Sequence, residues 1–261
     1  MPDSFLPPEV DRPDFYLAAM GRSGSTMICN WLTSPPDQLV FSEPLFTEVA
    51  NTRLLRIQLA NFGMPVTEEE WAADDGSAGA RFRRLVAPRL AGKRWGVKEV
   101  LCSEHGRYIE QLVPRRVLIS VRNIVDVALS FFEKHRAQGN LHRFSDQWVV
   151  DYCRREAAGL VGLHRLLAAG PLPHAVVRYE SFVGSDAPRR ELAGFLGWRG
   201  GGATDRNLEE FDRGFEATRH GQSVCPKSRM PGDRDLDARQ FAMAALIDKD
   251  CSEYQRVFGY S

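Results

Sequence analysis

Short apolar runs closed by glycine or proline alternate along this chain with longer stretches in which apolar residues recur every three or four positions. The first run, residues 15–20 (FYLAAM), has the length and continuity of a buried strand and stops at Gly21. A helix is expected over residues 26–32, ended by Ser34, Pro35 and Pro36. Residues 46–62 set Val49, Leu54, Leu55 and Leu59 at helical spacing ahead of Pro65, which predicts a second helix. The turn-rich DDGSAG stretch at 74–79 separates it from a helix over 81–90, so residues 64–79 read as a mobile surface insertion.

Farther on, residues 95–100 (WGVKEV) predict a strand and 104–113 a helix. Residues 116–121 (RVLISV) predict a strand of the hydrophobic kind found inside parallel sheets. Helices over 124–136 and 145–167, a strand at 175–179 (AVVRY) and a helix over 188–196 follow. A loop through Gly200, Gly201 and Gly202 leads to a last helix from Asp235 to about Phe258. Parallel strands need crossover helices, so this alternation predicts an α/β fold of three layers, a central parallel sheet with helices on both faces. Ligands of such sheets sit beyond the carboxyl ends of the strands. That singles out Gly21 to Thr26, Lys98, Arg122 and Tyr179, each at or just after a predicted strand end.

Composition narrows the picture. The 261 residues suffice for one large core, and residues 15–261 read as a single domain behind an N-terminal tail, residues 1–14. A 43% apolar and 26% charged content argues against a disordered, collagen-like or membrane protein. The 34 basic and 34 acidic side chains cancel, so no global field draws nucleic acid or anionic membrane and any anion site is local. Cys29, Cys102, Cys153, Cys225 and Cys251 are odd in number without CxxC spacing, which fits reduced thiols better than disulfides or a zinc site. The proline- and acid-rich tail lacks the features of a signal peptide, and no run reaches the roughly 18 apolar residues of a membrane span. A cytoplasmic enzyme with no transmembrane segment is expected; nothing in the sequence addresses its oligomeric state.

Two segments carry chemistry. Gly21, Arg22, Ser23, Gly24, Ser25 and Thr26 follow a strand and open a helix, so successive backbone N–H groups and the helix dipole converge on an anion. The two glycines permit close approach, Arg22 adds a fixed cation, and Ser25 and Thr26 add hydroxyl donors. The loop is shorter than a Walker A loop and lacks its lysine, and by itself is also compatible with a plain turn. The second segment is Arg122, leaving a strand end toward this cradle, with Ser130 two helical turns on; a surface ion pair and a solvated hydroxyl are the alternative readings.

Together these segments resemble the sulfotransferases that use 3′-phosphoadenosine 5′-phosphosulfate (PAPS). In that family an Arg/Lys-Ser-Gly-Thr/Ser-Thr/Ser loop binds the 5′-phosphosulfate, and a strand-end arginine with a serine on the next helix binds the 3′-phosphate. Arg22-Ser23-Gly24-Ser25-Thr26 matches the first motif, and Arg122 with Ser130 matches the second, spacing included. Val177-Arg178-Tyr179-Glu180 is similar to the family's strand ending in Tyr-Glu, so the resemblance covers roughly residues 15–182.

The resemblance implies a P-loop nucleotide-kinase-like fold and in-line transfer of a sulfuryl group from PAPS to an acceptor hydroxyl or amine, releasing PAP without a metal. Arg22, and Lys98 with it, would stabilise the leaving phosphate. Glu43, in Phe41-Ser42-Glu43-Pro44, resembles the base of the tyrosylprotein sulfotransferases, with Glu99 second and His105 third; the Lys-Thr-His motif of cytosolic members has no counterpart, since Glu99 and Val100 follow Lys98. For Glu43 the alternative is a surface carboxylate that pairs with Arg22 or caps a helix, and for Lys98 pairing with Glu99 or another neighbour. Tyr179 is read as a cofactor contact or a core aromatic. Lys227 and Arg229, in a Cys-Pro-Lys-Ser-Arg-Met-Pro-Gly-Asp stretch, stand where cytosolic members close an Arg-Lys-Gly loop over the cofactor, without matching it.

The acceptor is open among small molecules, carbohydrates, lipids and peptides. Residues 44–79 and 139–151 are expected to line its pocket, with Arg136, His142 and Arg143 as candidate contacts to an acidic group. Two other functions compete: a P-loop kinase for a small molecule, and a non-catalytic PAPS or PAP binding protein.

Overall fold

All five residues of Phe-Tyr-Leu-Ala-Ala at 15–19 are buried, because the strand they form has neighbours on both edges and helices on both faces. The computed structural model describes residues 10–45, 52–73, 77–199 and 236–260. Among these, the strands β1 (Phe15–Ala19), β2 (Gln38–Ser42), β3 (Arg94–Glu99), β4 (Val117–Val121) and β5 (His174–Arg178) form one parallel sheet in the order β2-β3-β1-β4-β5. The helices are α1 (Ser25–Leu32), α2 (Thr52–Asn61), α3 (Glu68–Ala72), α4 (Ala78–Leu85), α5 (His105–Leu112), α6 (Ile124–Ala137), α7 (Asp146–Ala168), α8 (Tyr179–Gly184), α9 (Asp186–Leu196), α10 (Ala238–Asp250) and α11 (Ser252–Phe258).

Side-chain alternation along the strands divides the core in two. Tyr16, Ala18, Leu39, Phe41, Trp95, Val97, Val117 and Ile119 face a large apolar layer with side chains from α2, α4, α5, α6, α7, α10 and α11. Phe15, Leu17, Val40, Leu118 and Val177 face a smaller one built by α1, α8, α9 and Trp198. The architecture is thus the three-layer α/β arrangement the pattern predicts. Successive strands after β1 are laid down on one side of it and then on the other, so the crevice at its carboxyl end is the place such folds use for ligands.

Several elements differ from expectation. β2 is a strand that the sequence pattern does not announce; its five residues pair in register with β3 from Gln38↔Arg94 to Ser42↔Lys98. Gln58 of α2 fastens its end, donating to the Ser42 carbonyl (3.0 Å) and accepting from the Ser42 N–H (2.6 Å). The stretch expected as an exposed insertion holds α3, begun by a Thr67–Glu70 capping box, and buries Met64. The helix expected over 81–90 is α4 followed by a 3-10 turn, Ala87–Arg89, because Pro88 cannot extend the α-helical ladder. The expected last helix is two helices that meet at Cys251. Asp14, placed in the tail, accepts from Arg94 and Trp198 (both 2.7 Å) and so anchors the start of β1. Among the described residues no helix is long and apolar enough to cross a membrane.

Candidate functional site

The chain leaves β1 at Ala19 and turns within five residues into α1. Gly24 makes that turn possible. It is the N-cap of α1 with φ +84°, and a Cβ there would stand 2.2 Å from the Tyr179 ring. A Cβ on Gly21 would come within 2.7 Å of the Tyr152 hydroxyl. No side chain caps α1 and its first turn holds no acidic residue, which leaves its amino end to an external anion. Inside the loop Ser23 is fully buried, and its Oγ has no hydrogen-bond partner among the described residues.

The strand neighbouring on the other side delivers Arg122, the residue after β4. Its guanidinium donates to the Arg22 carbonyl (3.3 Å) and lies over the Tyr179 ring, 4.7 Å from its centre; the same ring packs on Gly24. Arg122 is 7% exposed, its Nε is unpartnered, and no carboxylate pairs with it among the described residues. Arg22 reaches across to α6, donating from Nε (3.2 Å) and from a terminal nitrogen (2.9 Å) to Ser130 Oγ. Burial and then the like charge of Arg122 lower the pKa of Arg22, with Glu133 opposing them. Two partly buried guanidinium groups whose charges oppose each other in this way favour an anion between them.

The opposite side of the crevice holds the acidic candidates. Lys98, buried in β3, pairs with Glu43, which follows β2 with φ +56°. Burial works against the Lys98 ammonium, but Glu43 foremost, with Cys29 and Glu99, together outweigh it and the pKa is raised. The ion-pair partner of Lys98 is thus Glu43 and not the adjacent Glu99. Glu99 is fully buried and burial raises its pKa far above the carboxylate range; one oxygen accepts from the Leu45 N–H (2.6 Å). A carboxyl held protonated is poorly suited to take a proton.

His105 is also fully buried and acts on the cradle from behind. Its Nε2 donates to the carbonyl of Ala19, the last residue of β1 (3.0 Å), which leaves Nδ1 to accept from the Tyr16 hydroxyl (2.8 Å). Burial lowers its pKa from 6.5 to about 4, against the pull of the Ala19 carbonyl. Between those values the unfolded chain takes up a proton that the native state refuses, so this contribution is whole above about pH 6.5 and drains away as pH falls toward 4. The expected loss is about 3 kcal/mol at most. Denaturant titrations between pH 7 and 4.5 should show it in the wild type and a shallower slope in His105→Gln; equal slopes would place the acid sensitivity elsewhere.

Two contributors lie outside the sequence motifs. Tyr254, from α11, donates its hydroxyl hydrogen to the Arg122 carbonyl (3.0 Å) and accepts from the Arg122 N–H (3.2 Å), fixing the strand end on both sides. No local pattern marks it, since 132 residues separate the two. Lys134 lies one turn beyond Ser130 on α6 and feels the charges of both Arg22 and Glu43; its signal was the i, i+4 spacing from Ser130. Tyr179 opens α8 and does not end a strand. His142 and Arg143 lie in a 3-10 turn, Leu141–Arg143. Lys227 and Arg229 lie outside the described residues, as does the side chain of Arg136.

No family profile matches the chain, and no curated protein matches it in sequence. Among solved structures it is similar to a sulfotransferase from Alicyclobacillus acidocaldarius, with 15% identity over 95% of this chain and 96% of that one and a TM-score of 0.52. It is similar also to sulfotransferase STF9 from Mycobacterium avium, with 13% identity, 95% and 77% of the two chains and a TM-score of 0.52. Sulfotransferase STF1 from Mycobacterium tuberculosis H37Rv gives 13% identity, 94% and 77%, and 0.52. Across nearly its whole length, the chain has the fold of these sulfotransferases.

Proposed function

We propose that this protein transfers a sulfuryl group from PAPS to an acceptor hydroxyl or amine by in-line displacement and releases PAP. The observation that carries the reading is the gathering of Arg22, Arg122 and Ser130 beside an uncapped helix amino end, with Ser23 Oγ and Arg122 Nε buried and without a partner among the described residues. Such a set fits a polyanion carrying phosphate at two places. Gly21 to Thr26 would receive the 5′-phosphosulfate, Arg122 and Ser130 the 3′-phosphate, and Tyr179 would pack beside the nucleoside. Lys227 and Arg229 are proposed to close over the cofactor.

Glu43 is the proposed base. Its side chain is 23% exposed while Glu99 is sealed in the core, and both ring nitrogens of His105 are engaged. Lys98 holds Glu43 in place from below and adds positive charge near the leaving phosphate. Transfer of an already activated sulfuryl group asks for alignment, a proton acceptor and cations at the departing oxygen, and these residue types supply each.

Calorimetric titration with PAP, AMP and Mg·ATP tests the assignment. The wild type is expected to bind PAP much more tightly than AMP. Arg122→Ala should lose that preference, at a cost of about 1.5 to 3 kcal/mol for a charged hydrogen bond. Binding of Mg·ATP without PAP would replace the reading with a kinase, and PAP binding without any turnover of PAPS would leave a binding protein.

A further inference from the structure

Given the sulfotransferase reading above, on which this rests, we infer that Phe131, Phe144, Trp148 and Tyr152 form the wall on which the acceptor lies, and that the acceptor carries its hydroxyl on a flat aromatic ring. Trp148 and Tyr152 are four residues apart on α7, and their rings stack with 5.5 Å between centres and 4° between planes. Phe131 of α6 lies 5.2 and 5.8 Å from them, tilted by 33° and 35°. Phe144, just ahead of α7, meets Phe131 edge-on (5.0 Å, 87°) and Trp148 at 4.8 Å. His135 leans on both phenylalanines, at 4.1 and 4.3 Å. A cluster that served only the core would be sealed. This one is buried at Phe131, 8% exposed, and open at Trp148, 40% exposed, so it offers one more ring a face to pack on.

The inner end of the wall reaches the anion loop, because the Tyr152 hydroxyl stands 2.7 Å from where a Cβ on Gly21 would be. Phe131, Phe144 and Tyr152 belong to the apolar layer on one face of the sheet, and Tyr179, assigned above to the nucleoside, belongs to the layer on the other. In-line transfer brings the acceptor oxygen to sulfur from the side away from the departing phosphate, which is the side of this wall. Its rings are uncharged near neutral pH, since burial foremost lowers the His135 pKa and raises that of Tyr152. A sugar would ask for hydrogen-bond partners to several hydroxyls, and an acidic acceptor for cations. Here the polar atoms look inward: His135 Nδ1 is hydrogen-bonded to Asn140 (2.7 Å) and the Tyr152 hydroxyl lies against Gly21.

In the step itself, the phenolic oxygen bonds to sulfur while the bond from sulfur to the 5′-phosphate oxygen breaks and leaves its electron pair on that oxygen. The phenolic proton passes to Glu43, and nothing is oxidised or reduced. A phenol has a pKa of about 10, so it yields that proton to a carboxylate far more readily than an alkyl alcohol does. The uncharged wall and the carboxylate base thus select the same class of acceptor.

The test follows sulfation of 2-naphthol from PAPS by the full chain in wild type, Trp148→Ala and Trp148→Phe, with methyl β-D-glucoside as the non-aromatic probe. PAP affinity, expected within about twofold in all three, reports an intact nucleotide site. The wild type should turn over 2-naphthol with a kcat/KM about tenfold or more above that for the glucoside. Trp148→Ala should raise KM for 2-naphthol about tenfold with kcat little changed, and Trp148→Phe should keep KM within about threefold. A protein that binds PAP but prefers the glucoside, leaves 2-naphthol unsulfated or shows the same KM in Trp148→Ala would overturn the inference and leave the sulfotransferase reading standing. A wild type that does not bind PAP would overturn both.

Discussion

Replacing Arg22 by alanine is expected to slow the release of PAP from PAPS about 100- to 1000-fold, the usual cost of one donor aimed at developing charge. The residue stands in the loop between β1 and α1, next to where a phosphosulfate would lie, and its Nε and terminal nitrogen both engage Ser130. Alanine would remove the cation proposed for the leaving phosphate and leave Ser130 without these two donors. Arg22→Lys should fall between, because an ammonium keeps the charge but not the two-nitrogen grip. Single-turnover measurement of PAP formation at saturating PAPS separates the chemical loss from weakened binding. A rate within about twofold of the wild type would remove Arg22 from the reaction, since even a modest electrostatic donor contributes more than that.

Gly24→Ala should be nearly as damaging by a different route. The backbone there has φ +84°, which costs an L-residue about 1–2 kcal/mol, and the new methyl meets Tyr179 ring carbons at 2.2 and 2.3 Å. The ring must move, and it is the surface against which Arg122 lies. PAP affinity should therefore fall about tenfold or more, in addition to the lost stability. Gly63→Ala is the control. Gly63 also has a positive φ, +71°, but open space around its Cβ position, so that variant should lose stability while keeping its affinity for PAP. Equal loss of affinity in both would mean that general destabilisation, not the Tyr179 ring, governs the site.

β1 and β4 were legible because each is a continuous apolar run, the mark of a strand covered on both faces, and β3 and β5 because of the shorter apolar stretches at 95–97 and 175–177. β2 was not, for Gln38 to Ser42 is short, polar at both ends and preceded by two prolines; its pairing with β3 makes it a strand. The cradle, Arg122 and Ser130 were readable from order and spacing, and the structure brings them together. The partner of Lys98 was not readable. Neighbours along a strand point to opposite faces, so Glu99 is carried away from Lys98, and the strand that no pattern announced brings Glu43 to it.

The grip of Tyr254 on Arg122 bears on how the protein acquires its binding capacity. A chain folding in order can pair β1 with β3 and β4 early, since those partners lie within the first half of the sequence. The backbone of Arg122 is secured only when a residue 132 positions later docks against it, and closing so long a loop is entropically slow. Affinity for a doubly phosphorylated nucleotide would then emerge at the last stage of folding, after secondary structure and most of the sheet are in place. A refolding chain would regain its circular dichroism before it regained PAP.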